Sequence, residues 1–513
     1  MRGATRGWWL LAMVMACTAN VAPAGVVEAG PVGPTPEPPL GPELLGPAPA
    51  VEPAAAGTMT RVAGVEVLQV GEAKPGFVWW MSHNARFAAI YTFAERPQFG
   101  HHGEVRGGEP TLTLHDTVAR RSDVIDELVA TDPHGRWLVA LKGPALWLID
   151  AESGKREDLA AGGAVVAADE NRCMPPRQAE FDALGEQVVY MRGDDTAVVR
   201  RLVDGSEQVL RASGKLWRIS AVGQPQAALL IVVPEDSDRD GTIGLPRQKT
   251  SCACRWCGRF AASHGFYGWA GDAYKFVMVE GEQTTTLKGP MQWLAPGVFA
   301  DPEDNVPRRG DGEAIALPNG CTEPRVFAGS PAVMIACGPK NRLWWPATGV
   351  TADLGFDAEA IEDGVVRAAD GKLVIGLWLG PPDEPRLLAG FDTADGKRIA
   401  ESVKITGKPR ADRRGRVLVH EGEVVTAFDL RHGTTRTFAG KEIEVGALRQ
   451  NVAGTLEILG KLYAVDPGRG LLHELTAQPA VVAENGCALI PAASADRLDT
   501  GPWTLRCPGL GAG

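Results

Sequence analysis

The chain has 513 residues, of which 44% are hydrophobic, and its 63 acidic and 52 basic side chains give a formal net charge of −11. This length and apolar content suffice for one large or two ordinary domains with buried cores. The acidic balance argues against nucleic acid as a partner, because phosphate recognition needs a basic stripe, and against docking on an anionic lipid surface. The many glycines (62) and prolines (38) favour short strands joined by turns.

Residues 1–24 have the pattern of an export signal. Arg2 and Arg6 form a short basic region, and the apolar segment WWLLAMVMA follows it. This segment is too short for a transmembrane helix, which needs about 20 apolar residues. The sequence therefore predicts a protein that leaves the cytoplasm.

Two processing routes are open for this signal. Val14-Met15-Ala16-Cys17 resembles a bacterial lipobox in which Cys17 accepts the lipid, although Met15 departs from the usual residue there. Ala22-Pro23-Ala24 is a small-x-small site for ordinary cleavage after Ala24. We favour the lipoprotein route because the apolar segment runs directly into Cys17. The predicted location is the periplasm or the outer membrane, with secretion as the alternative.

Residues 25–60 are dominated by proline, alanine and glycine and have no apolar period. This composition predicts a disordered, semi-extended tether. One folded domain is then predicted over residues 61–513.

A repeated unit begins near residue 62. A typical copy has an apolar strand that ends in an acidic residue, a short polar turn and a second strand, and many copies have a further strand upstream. Clear copies lie at 145–159, 387–401, 424–438 and 461–475, and weaker ones lie at 111–125, 198–212, 275–287 and 341–355. Asp392, Asp429 and Asp466 are spaced by 37 residues, and a fixed period in this range indicates a repeat architecture.

One small twisted sheet cannot bury both of its faces, whereas sheets stacked radially bury each face against a neighbour. We therefore predict an all-β protein, a seven- or eight-bladed β-propeller; a β-sandwich would need fewer and less regular units. The segment RVAGVEVLQV (61–70) is predicted to complete the blade formed by residues 480–507.

The turn DPHG at 132–135 resembles the S-P-D-G turn of TolB-type propellers, and the hairpin units from 76 to 477 resemble the degenerate repeats of TolB-type and WD-repeat propellers. The resemblance implies a bacterial exported propeller. No copy carries the WD dipeptide, and a fold alone does not define an activity.

Nine cysteines occur, and eight remain in the domain once Cys17 is set aside. An even number in an exported chain favours disulfides. The segments 319–339 and 485–509 resemble each other, each with Asn-Gly-Cys, a strand and a second cysteine. They predict the pairs Cys321–Cys337 and Cys487–Cys507.

Three of the four remaining cysteines lie in a predicted insertion at about 234–268. Cys173 is predicted to pair with Cys252, Cys254 or Cys257, which would staple the insertion to the ring. A zinc site with His264 and a reactive Cys254-x-x-Cys257 dithiol are alternatives. Disulfides are favoured because the compartment is oxidising.

Asp236, Asp238 and Asp240 stand at alternate positions before Gly241, as in a calcium loop, and Thr242 can add its carbonyl. Arg247 stands where an EF-hand has its bidentate glutamate, so a full EF-hand is not predicted. A simpler calcium loop and a solvated acidic turn both remain, and the acidic turn is favoured.

No G-x-S-x-G elbow or other nucleophilic constellation is present. The sequence therefore predicts a non-enzymatic module that binds or scaffolds a protein or peptide of the bacterial cell envelope. The alternatives are a hydrolase or lyase acting on envelope polymers and a purely structural, calcium-stabilised module.

Overall fold

The computed structural model describes residues 60–96, 98–99, 105–106, 110–159, 179–182, 185–193, 195–211, 215–221, 227–233, 275–280, 283–287, 292–295, 297–300, 305–326, 332–357, 361–369, 372–379, 386–392, 397–405, 410–411, 416–421, 424–429, 434–438, 455–458, 461–466, 471–495 and 498–509. Every helix or strand element in these residues is a β-strand. Within the same ranges, no helix has the length and apolar character needed to cross a membrane. The predicted signal segment, nearly all of the tether and the insertion lie outside the described residues.

The strands are short, as alternating apolar residues between turn residues predict. The first eighteen are β1 (Thr60–Val62), β2 (Gly64–Val70), β3 (Pro75–Met81), β4 (Phe87–Thr92), β5 (Gln98–Phe99), β6 (Val105–Arg106), β7 (Thr111–Asp116), β8 (Arg121–Ile125), β9 (Glu127–Thr131), β10 (Trp137–Lys142), β11 (Ala145–Asp150), β12 (Arg156–Asp158), β13 (Ala179–Phe181), β14 (Gln187–Met191), β15 (Thr196–Arg201), β16 (Glu207–Arg211), β17 (Lys215–Ala221) and β18 (Ala227–Val233).

The others are β19 (Lys275–Glu280), β20 (Gln283–Leu287), β21 (Gln292–Ala295), β22 (Val298–Ala300), β23 (Pro307–Arg309), β24 (Cys321–Val326), β25 (Val333–Cys337), β26 (Lys340–Trp344), β27 (Thr351–Asp357), β28 (Ile361–Ala369), β29 (Lys372–Leu379), β30 (Arg386–Asp392), β31 (Arg398–Ile405), β32 (Arg410–Ala411), β33 (Arg416–Glu421), β34 (Val424–Asp429), β35 (Thr434–Phe438), β36 (Thr455–Ile458), β37 (Lys461–Asp466), β38 (Leu471–Leu475), β39 (Val481–Val482), β40 (Ala488–Ala495) and β41 (Leu498–Pro508).

Consecutive strands pair antiparallel into small sheets. Four-stranded sheets are formed by β9–β12, β13–β16, β17–β20, β24–β27, β28–β31 and β32–β35, and β21–β23 form a three-stranded sheet. All eight predicted hairpins are confirmed in this pairing.

The beginning and the end of the described chain share two sheets. Strand β2 pairs antiparallel with β41, with Val65 opposite Cys507 and Val70 opposite Trp503. Strand β1 pairs in parallel with β38, where Val62 lies opposite His473. Since β41 also pairs with β3, an eight-stranded sheet joins the first sheet to the last. The predicted role of residues 61–70 as a closing strand is confirmed.

Buried side chains join several neighbouring sheets. Leu114 of β7 and Ile149 of β11 belong to one cluster, and Leu148 of β11 shares the next cluster with Val198 of β15. Alternate residues of one strand therefore face opposite neighbours, as in a strand packed on both faces. A series of small sheets packed on one another and closed by shared strands is a β-propeller.

The predicted number of seven or eight blades is not confirmed. Among the described residues, nine sheets have three or more strands. One reason is the sheet β21–β23, whose strands lack the terminal aspartate and the hairpin spacing that marked the other units. A second reason is the terminal sheet, in which β39–β41 with β2 form a group of their own.

Trp503 is fully buried in the terminal sheet and lies against the backbone of three glycines. A Cβ atom added to Gly501, Gly76 or Gly71 would lie 2.5, 3.1 or 3.2 Å from the indole. The ring contributes to the need for glycine here, together with the carbonyls of Tyr91 and Glu72, which lie 2.2 Å from a Cβ at Gly76 and Gly501, and the φ of +79° at Gly71.

The two predicted disulfides are confirmed. Cys321 of β24 lies directly opposite Cys337 of β25, and the two residues are bonded. Cys487, just before β40, is bonded to Cys507 of β41, and both residues are 1% exposed. The second bond thus joins the strand that pairs with β2 to its other neighbour, β40.

Candidate functional site

Homologous turns lie at one end of the first three sheets and begin at Ser82, Asp132 and Asp182, which are 50 residues apart. In each turn, the side-chain oxygen of the first residue accepts a hydrogen bond from the backbone N–H five residues later. These bonds are Phe87 N to Ser82 Oγ (2.9 Å), Trp137 N to Asp132 Oδ1 (2.8 Å) and Gln187 N to Asp182 Oδ1 (3.1 Å). Short polar side chains favour such local caps.

Neighbouring turns are bonded to one another. The N–H of His83 donates to the carbonyl of Gly135 at 3.1 Å, which joins the first turn to the second. Asn485, in the turn before β40, donates through Nδ2 to the carbonyl of Asn84 at 2.9 Å. Hydrogen bonds therefore connect these buried polar turns across the junction of the first and last sheets, and we call this end of the sheets the turn face.

The repeated aspartate holds this surface rigid. Asp150 ends β11 and accepts the N–H of Glu152 at 3.0 Å, while the Arg136 guanidinium lies 3.1 Å away. Asp116 ends β7 and is paired in the same way with Arg86 at 3.3 Å. Asp116 and Asp150 thus each cap one turn and pair with the arginine of another.

The buried carboxyl group of Asp182 should make the stability of the domain depend on pH. Burial raises its pKa to about 6, although backbone N–H groups of Gln187 and Glu186 act in the opposite direction. The folded chain therefore holds this proton more tightly than the unfolded chain, and stability falls as pH rises from about 4 to 6. Asp182→Asn keeps the oxygen acceptor and removes the charge. We expect it to raise the free energy of unfolding at pH 7.5 by about 1–3 kcal/mol.

Urea unfolding of Asp182→Asn and the parent chain at pH 7.5 and pH 4.5 checks this expectation. At pH 4.5 the folded parent already carries the proton, so the two proteins should differ much less. An equal difference at both pH values would show that the charge of Asp182 is not the cause.

A cleft of about 240 Å³ opens on the turn face between the second and third sheets. Its apolar lining comes from Trp137, Leu148, Leu202 and Val203, and its polar lining comes from Lys155, Glu157, Arg200, Asp204 and Gly205. Val203 is 81% exposed at the tip of the β15–β16 hairpin. The lining is more polar than apolar, so the cleft combines a small apolar patch with several charged groups that could orient a ligand.

The charged groups of the cleft differ in how tightly they are paired. Arg200 lies 2.9 Å from Glu157 of the second sheet and 3.0 Å from Glu207 of its own sheet. Lys155 lies 3.9 Å from Glu157, and its side chain is 75% exposed. Lys155 is therefore a cation of the cleft that a carboxylate from outside can reach without displacing a close ion pair.

Most other predicted site residues fall outside the described residues. They are Cys17, Cys173, Cys252, Cys254 and Cys257, together with the calcium candidates Asp236, Asp238, Asp240 and Thr242. Within the described ranges, no group of three or more His, Cys, Asp or Glu side chains is arranged to hold a metal ion.

The cleft was missed in the sequence because its two walls come from different hairpins. Trp137 and Val203 are far apart in the chain, and neither stands in a motif. One signal was available: an exposed valine at a hairpin tip, in LVDGS, is unusual beside turn residues that are otherwise polar.

No family model and no curated protein matches the chain. A solved structure described as the crystal structure of the eukaryotic initiation factor is similar with a TM-score of 0.34 and 10% identity, covering 72% of this chain and 90% of that one. The WD40 domain of SCAP from fission yeast is similar with a TM-score of 0.28 and 9% identity, covering 88% and 97%. The propeller architecture of this chain follows from its own sheet order.

Proposed function

We propose that the chain is a binding module that captures a protein segment on its turn face. The observation that carries this proposal is the cleft between the second and third sheets, with an exposed Val203 at its rim and Trp137 in its wall. Its volume suits one large apolar side chain of a partner. Lys155 at the edge favours a carboxylate next to that side chain, so the expected ligand is an extended peptide with an apolar residue beside an acidic one.

The export-signal pattern of residues 1–24 supports the cell envelope as the place where this binding occurs. An exported chain, anchored through a lipid on Cys17 and a Pro-rich tether, would present the turn face to proteins of the cell envelope. A rigid scaffold of small sheets with functional groups on connecting turns is suited to such binding.

A peptide library displayed on phage and selected on the full chain tests the proposed function. We expect the selected peptides to share an apolar residue beside an acidic one. Val203→Asp should weaken their binding at least tenfold in a fluorescence anisotropy titration, because it places a carboxylate at the apolar rim. Lys155→Gln should weaken only the peptides that carry the acidic residue.

Val350→Asp is the matched control, since Val350 is 53% exposed in the turn between β26 and β27 of another sheet. Its binding should equal that of the parent chain. Equal loss in both valine variants, or selected peptides unaffected by Val203→Asp, would contradict the proposed site.

A further inference from the structure

A buried histidine lies where the two ends of the described chain meet. His473 of β38 has no exposed surface, and neither of its ring nitrogens has a hydrogen-bond partner among the described residues. Thr455 Oγ1 and Arg506 Nε are also buried and have no hydrogen-bond partner among the described residues. Such groups are rare in folded proteins and call for a physical explanation.

These three side chains lie between two facing sheets. Thr455, Ala464, His473 and Val62 lie opposite one another in register across four strands, so they share one face. Ala464 packs against Ala488 of β40, which lies opposite Arg506 in the terminal sheet. The junction thus combines buried polar groups with an apolar cluster that also contains Leu475, Val482 and Ile490.

Strand β2 approaches this histidine closely through Gly64. A Cβ atom on Gly64 would lie 2.9 Å from Cδ2 of His473 and 3.5 Å from Nε of Arg506. Arg506 also donates through Nη2 to the carbonyl of Gly64 at 3.0 Å. The first residue of β2 is therefore held between the imidazole and the guanidinium.

The surrounding charges oppose a proton on this ring. Burial lowers the pKa of His473 to about 4, Arg506 of β41 acts in the same direction, and Asp466 of β37 opposes them. Glu474, the next residue of β38, is paired with Lys461 at 2.9 Å. Glu66 of β2 lies opposite Arg506 and is exposed.

We propose that protonation of His473 releases residues 60–70 from β38 and β41, so that this junction is an acid-sensitive latch. Among the described residues, a charged ring finds no hydrogen-bond acceptor in the closed junction, and it lies beside a second cation, Arg506. Moving β1 and β2 away admits water to the ring. The disulfide Cys487–Cys507 keeps β40 and β41 together, which confines the opening to the amino-terminal strands.

Protonation of His473 and opening of the junction are thermodynamically linked. The released ring has an ordinary histidine pKa of about 6.5, above that of the closed junction. The open form thus binds the proton more tightly, and the ratio of open to closed junction rises up to about tenfold for each pH unit lost between 6.5 and 4.

Hydrogen exchange of the full chain, followed by mass spectrometry and corrected for intrinsic rates, tests the latch. Between pH 6.5 and 4.5, we expect protection of amides 64–70 to fall up to about tenfold per pH unit, while amides 137–150 stay protected. His473→Gln should abolish this dependence, and His134→Gln, in the turn after β9, should retain it. Arg506→Gln should make this pH dependence shallower, because Arg506 lowers the pKa of His473 in the closed junction.

Two results would overturn the proposal. One is loss of protection in amides 137–150 in step with amides 64–70, which would mean that the whole domain unfolds. The other is an unchanged pH dependence in His473→Gln. If that variant does not fold, Arg506→Gln decides the matter, because an equally steep pH dependence there excludes the junction as the sensor.

Discussion

Trp503→Ala is expected to destabilise the domain by about 3–5 kcal/mol, the usual cost of removing a large aromatic side chain from a core. The indole is fully buried and touches the backbone of Gly71, Gly76 and Gly501. Glycines have no side chain that could move into the space left behind. The surroundings therefore collapse less than in an ordinary core, and the loss should lie at the upper end of this range.

Urea unfolding followed by circular dichroism measures this loss. The control is Trp79→Ala, since Trp79 is 39% exposed and contacts Phe77 and Tyr91 only by ring edges. We expect that control to cost about 1 kcal/mol. A loss in Trp503→Ala no greater than in Trp79→Ala would show that the three-glycine packing does not stabilise the junction.

The double variant Cys487→Ala with Cys507→Ala is expected to lose about 3 kcal/mol of unfolding free energy. The bond closes a loop with a sequence separation of 20, and a loop of this length constrains the unfolded chain by roughly that amount. Because β41 is also the partner of β2, its release should also loosen the amino-terminal strand.

The matched control replaces Cys321 and Cys337, whose sequence separation of 16 predicts a similar entropic loss. Hydrogen exchange separates the two variants. Amides of β2 should lose protection in the first variant and keep it in the second. Equal protection of β2 in both would contradict the role of Cys487–Cys507 at the junction.

The strands were predictable because their signals are local. In ALWLID and KLYAVD, an apolar run is followed directly by an aspartate and a turn, so the whole unit lies within one short segment of sequence. The closing strand 61–70 was also predictable, since it is apolar and has no hairpin partner of its own. The two disulfides followed from the resemblance of their flanking segments.

The cleft and the junction were not predictable in the same way. The cleft depends on Arg200 of one sheet meeting Glu157 of another, and His473 is buried only because β2 returns to cover it. Both depend on packing between sheets, which no local pattern contains. The sheet β21–β23 was missed because its strands are very short and do not end in aspartate.

The pairing of β2 with β41 also has a consequence for the making of the protein. Gly64 and Arg506 are hydrogen-bonded although they are 442 positions apart in the chain. Strand β2 therefore cannot pair with β41 until nearly all of the described residues have been synthesised. Until then, the series of sheets is not closed by this pairing, and the sheets at its two ends have unpaired strand edges. Such edges promote aggregation. A shorter chain that ended before β41 would leave the edge of β2 without this partner.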